Sequence, residues 1–84
     1  MNNILMRQIV VGEDYQSLAS QQTVVTVTVS APPTNLGNII FKGDDGGEVP
    51  WVPGEWHTFQ SVDLARIEVR GLAGDKVTVV GGTW

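Results

Sequence analysis

The chain has no cysteine in its 84 residues. No disulfide can staple it, and no thiolate metal site can form. It has one histidine, His57, so a zinc site of the usual nitrogen and sulfur donors lacks its parts. Positive charge is scarce. Arg7, Lys42, Arg66, Arg70 and Lys76 stand against nine carboxylates, giving a net charge of −4 and a pI of about 4.6. Five scattered cations build no basic face to displace counterions from phosphates, which argues against nucleic acid and against an anionic membrane surface. Long apolar runs are missing too. Nothing approaches the roughly 20 residues of a membrane-spanning helix, and Ile4-Leu5-Met6 is far too short for the apolar region of a signal peptide. The expectation is a chain made in the cytoplasm and either kept there or carried inside something larger. Helical periodicity is absent throughout.

What the chain has is alternation. Thr23 to Ser30 reads as a strand, with Val25, Val27 and Val29 on one face and Val24, Thr26, Thr28 and Ser30 on the other. Ala31-Pro32-Pro33 ends it, since prolines cannot donate to a sheet ladder. Gly37 to Lys42 follows, with Ile39 and Phe41 together. Gly43-Asp44-Asp45-Gly46-Gly47 is turn chemistry. Glu48 to Val52 is extended by its proline, and Pro53-Gly54 turns again. Glu55 to Val62 places His57 and Phe59 on one face and Trp56 and Thr58 on the other. Arg66 to Arg70 and Lys76 to Val80 alternate cleanly about a Leu72-Ala73-Gly74-Asp75 turn. The pattern predicts an all-β domain of six to seven short antiparallel strands, a small β-sandwich or flattened barrel. Its core is predicted as Val25, Val27, Val29, Ile39, Phe41, Phe59, Leu64, Ile67, Val69, Val77 and Val79.

Residues 1–22 lack this rhythm. Gln8-Ile9-Val10-Val11 reads as a short strand at most, and Glu13 to Ser20 as loop or a single helical turn. The expectation is an N-terminal arm over 1–22, removable without unfolding a domain that occupies 23–84.

Candidate chemistry is thin. His57 has no partner for metal or acid–base work and reads as a partly buried strand residue. Asp44, Asp45 and Glu48 cluster among glycines and would suit a hard cation, but their spacing does not match a calcium loop, and a solvated acidic turn is the simpler reading. A carboxylate pair for glycoside hydrolysis needs a cleft that a chain this small has little room to build. No catalytic, cofactor-binding or metal residues are assigned. Trp51, Trp56 and Trp84 are more suggestive. Three tryptophans are many for so small a core, and tryptophan is enriched at interface hot spots. With Tyr15 they are the candidate interface residues, set against core filling at a sheet edge or carbohydrate stacking.

The order of turns resembles a known pattern. A Pro53-Gly54-Glu55 turn leads into a strand, an Asp63-Leu64 corner follows, and a hairpin closes on Ala73-Gly74-Asp75. Residues Ala31 to Val80 are similar in this respect to the small all-β structural proteins of tailed-bacteriophage virions, of the capsid decoration (cement) or head-fibre type. The resemblance implies a protein on the capsid surface of the virion that binds the major capsid protein or other virion proteins. It implies a homo-oligomer, first of all a trimer, with Leu64 capping the core. The alternative it leaves open is a head-fibre or tail module that binds a host receptor or glycan.

Overall fold

A computed structural model describes residues 3–83. The strands are β1 (Ile4–Val10), β2 (Gln16–Ser17), β3 (Val24–Ser30), β4 (Ile39–Lys42), β5 (Glu48–Trp51), β6 (Trp56–Asp63), β7 (Glu68–Arg70) and β8 (Lys76–Gly82), with one 3-10 turn at Leu64–Arg66. They form two four-stranded antiparallel sheets, ordered β1-β8-β3-β6 and β2-β7-β4-β5. The all-β class is therefore as the alternation predicted. The strand count is eight rather than six to seven, and both additions lie in residues 1–22.

That segment is the main correction. β1 pairs with β8 along seven residues, from Ile4 opposite Gly82 to Val10 opposite Lys76. Leu5, Val11, Leu18 and Ala19 are buried in the common core. Residues 1–22 are thus not a detached arm, and the division at residue 22 separates nothing. The cause is legible in the residues. On β1 the outward row is Ile4, Met6, Gln8 and Val10, while the inward row, Leu5, Arg7 and Ile9, contains a charge. Apolar residues on both rows erase the period-two signal. Val11, Leu18 and Ala19 flank strands and have no period to show.

The core holds every residue predicted for it. Val25, Val27, Val29, Ile39, Leu64, Val69, Val77 and Val79 are almost fully enclosed, Phe41 is buried, and Phe59 and Ile67 are partly buried against them. Leu64 sits at its corner because Asp63 holds the turn. One Asp63 carboxylate oxygen accepts from the Ala65 N–H at 3.0 Å and the Thr23 N–H at 2.9 Å.

Two local devices set the strand geometry. β6 carries one residue more than β3 between Val25 and Val27, and Ser61 takes a left-handed φ of 50° at this bulge. Gly81 lies against β3 so closely that a Cβ there would meet the Thr26 carbonyl oxygen at 2.0 Å. Only glycine fits that crossing.

A polar lock joins the loop before β4 to the start of β8. Asn35 is buried, accepting from the Lys76 N–H at 2.9 Å and donating to the Lys76 carbonyl at 2.8 Å. The buried Asp75 carboxylate accepts from the N–H groups of Leu36 and Gly37 at 3.0 and 2.9 Å. The loop, deprived of ladder bonds by its two prolines, obtains its partners there.

Candidate interaction surface

The registers of the β1-β8-β3-β6 sheet define its outer face. Met6, Val80, Thr28 and Thr58 stand in one row; Gln8, Thr78, Ser30 and Trp56 stand in the next. Ile4, Gly82 and Thr26 flank them on one side, and Val10 with Lys76 on the other. Ile4 and Met6 are more than 70% exposed, Trp56 is 62% exposed, and Val10, Val24 and Val80 are half exposed or more. Six of the ten exposed large apolar residues of the described chain therefore lie on one face. Charge is nearly excluded from it. Lys76 stands at one margin, and at the opposite corner Asp63 is turned into its two backbone hydrogen bonds. The hydroxyls are partly satisfied within the face. Thr28 and Thr58 share a hydrogen bond of 3.0 Å, and Ser30 and Thr78 share one of 2.6 Å. Such a face gives up less hydration on contact than one of unpaired hydroxyls.

The other sheet is its opposite. Glu48, Lys42 and Glu68 lie in one outward row, with Arg70 beside them. The Lys42 ammonium is 3.9 Å from Glu68, and the Arg70 guanidinium 3.4 Å from Glu48. Tyr15 spans this group. Its hydroxyl donates to Glu48, and its ring lies 4.2 Å from the Lys42 ammonium and 5.3 Å from the Arg70 guanidinium. Hydrogen bonds from Tyr15 and Arg70 hold the Glu48 carboxyl below its ordinary range.

The candidate residues thus part company. Trp56 is on the uncharged face. Trp51 is 5% exposed and stacked on Phe41 at 3.7 Å between centroids, so it belongs to the core and stands off the uncharged face. Tyr15 is half buried in its ionic cluster and clamps the β1–β2 segment to β4 and β7. Trp84 lies outside the described residues. Trp51 takes the core-filling alternative, an inward residue on a strand of four between turn-rich flanks. Met6, Val80 and Ile4 were missed because only strand pairing brings the two ends of the chain together.

His57 is more exposed than its partly buried reading implied. Its ring edge packs on Trp51 at 4.7 Å, and its Nε2 lies 2.7 Å from a Glu55 carboxylate oxygen. That contact, with the Val52 N–H, holds the Glu55 carboxyl below its usual value. The acidic turn does not converge. Asp45 accepts from the Gly47 N–H at 2.7 Å, while Glu48 faces Tyr15. Among the described residues no three acidic or histidine groups come together as a metal site.

Between the edge strands β5 and β6 the two sheets part, leaving a cleft of about 890 Å³. Phe41, Val49, Trp51, Phe59, Val62 and Ile67 line it. Lys42, Asp44, Asp63, Arg66 and Glu68 form its rim.

Fold and surfaces together define a β-sandwich with one charged and one uncharged outer face. No protein-family model matches the chain, and neither the curated proteins nor the solved structures contain a match to it.

Proposed function

We propose that this chain is a non-catalytic structural protein that docks through the uncharged face of its β1-β8-β3-β6 sheet, and that it serves as a decoration (cement) protein of a tailed-bacteriophage head. The supporting observation is that face. A chain of net charge −4 keeps almost all of its charge off the one surface where its exposed apolar residues gather. Contiguous apolar surface of this kind marks an interaction site. Size and turn order, which resemble small virion proteins, supply the setting. The mechanism is mass action: a subunit that binds the assembled shell and not its dispersed parts stabilises the shell. A trimer is the preferred assembly.

Copy number in purified particles tests this, together with heat-induced DNA release. Decoration requires hundreds of copies and earlier release from particles that lack the protein. Met6→Glu and Val80→Glu should lower occupancy while leaving the fold intact. Trp56→Ala, at the end of the central rows, should weaken attachment by about 2 kcal/mol. A few or a dozen copies per particle would instead favour a fibre or tail module that binds a receptor or glycan. Unchanged attachment in all three variants would overturn the docking face.

A further inference from the structure

The cleft and the free edge of β6 form a second surface, which adjoins the uncharged face along β6. We propose that the open side between β5 and β6 accepts an extended segment of another protein, which adds to β6 as a fifth strand and inserts alternate apolar side chains into the cleft.

Three observations carry this. First, β6 is an eight-residue strand with β3 on one side and, among the described residues, no strand on the other. Alternate N–H and C=O groups along it are therefore directed away from the sheet. Edge strands are commonly blunted with proline, lysine or a bulge; β6 contains neither proline nor lysine, and its bulge at Gln60 and Ser61 leaves Trp56 to Phe59 as the regular part of the edge. Its neighbour across the cleft is blunted: β5 has Pro50, which removes one of its few donors. The two edges differ, so the acceptor is β6.

Second, the core is incomplete on this side. Phe59 and Val62 are only partly buried, and Val49, paired with the inward Phe41, is 56% exposed. All three line the cleft. An added strand paired with the regular part of β6, Trp56 to Phe59, would present every second side chain to this surface, the arrangement by which strand addition combines main-chain affinity with side-chain selection.

Third, charge selects the segment. β6 has no aspartate, glutamate, lysine or arginine before Asp63, so a neutral strand can run along it. The rim has three carboxylates, Asp44, Asp63 and Glu68, against Lys42 and Arg66, and Lys42 already reaches Glu68. A partner with alternating apolar residues and a basic flank matches that balance.

The probe is a synthetic peptide of eight residues, the length of β6, in which valine and threonine alternate between terminal lysines. Binding is followed by NMR on the full chain. The expected result is saturable binding that slows amide exchange at alternate residues of β6 by at least about tenfold, with β1 unaffected. Val49→Lys, a change at an exposed position, should abolish binding while the circular dichroism spectrum stays native. A peptide of the same composition with the valines grouped together should bind at least about tenfold more weakly, because only alternation matches the pleat. Equal binding of the two peptides would overturn the proposal. So would no binding at millimolar peptide, or laurate filling the cleft with no protection of β6, which would mark a small-molecule site. These outcomes read the free edge of β6 and the cleft, not the row of Met6 and Val80, so they leave the particle-docking reading to its own test.

Discussion

If residues 1–22 were an arm, Leu18 would be dispensable; in the sandwich it is not. Leu18 is 3% exposed, its N–H donates to the Ile67 carbonyl at 3.0 Å, and it packs in the common core. Leu18→Ala leaves a cavity that β2, two residues long and paired among the described strands with β7 alone, is poorly placed to fill. Truncations of this kind cost about 2–5 kcal/mol. At about 0.05–0.15 kcal/mol per residue, the total stability of an 84-residue chain is of order 4–13 kcal/mol, so the change removes a large part of it. A domain of this size shifts its melting temperature by about 4–8 °C per kcal/mol, so a fall of at least about 8 °C is expected. The control is Leu36→Ala, at a position 85% exposed, which should stay within about 0.5 kcal/mol. Scanning calorimetry of the two variants against the parent decides the matter, and equal melting temperatures would refute the placement of Leu18. Deletion of residues 1–21 extends the test. It strips β8 of its partner and removes three further buried side chains, Leu5, Val11 and Ala19. The truncated chain should show no cooperative transition, and cooperative melting would restore the arm.

Asp75→Ala removes both acceptors for the Leu36 and Gly37 N–H groups. Bonds to a charged group contribute about 1.5–3 kcal/mol each, so chemical denaturation should show a loss of about 3 kcal/mol or more. Asp75→Asn keeps one acceptor oxygen and should lose less; a full loss in Asn and none in Ala would contradict this account. Acid should destabilise the fold through Glu48 and Glu55. Both carboxyls are held below their ordinary value of 4.5 in the folded chain, so the unfolded chain binds protons more readily. Their contribution is complete above about pH 4.5 and is lost as the pH falls through the lowered folded values. Melting temperature should therefore decline over that interval, less steeply in Glu48→Gln, and identical slopes would remove Glu48 from the explanation.

Much of the sandwich is local and was legible. Strands β3, β4 and β8 alternate because one face of each is buried, and β-branched residues fill that face. Gly54 and Gly74 occupy positive φ within turns that their neighbours announce. β7 was visible but begins later than the alternation suggested, because Asp63 first winds Leu64–Arg66 into a 3-10 turn. Of the candidate surface only Trp56 was identified, since a lone outward tryptophan on an alternating strand is a local observation. Asp75 read as a turn residue, and its role as a buried acceptor depends on a loop 38 residues away in sequence.

The sequence by itself determined the class of structure, its central strands, its turns and the residues of its core, because period-two burial and turn chemistry are properties of neighbouring residues. Only the tertiary structure decided that β1 is a strand, that Trp51 is interior, and that Met6 stands beside Val80 to build an uncharged face. Those facts follow from pairing across 74 positions of chain between Met6 and Val80. Such pairing is set by long-range hydrogen bonds and packing, and it leaves no periodic trace where an edge strand is apolar on both sides.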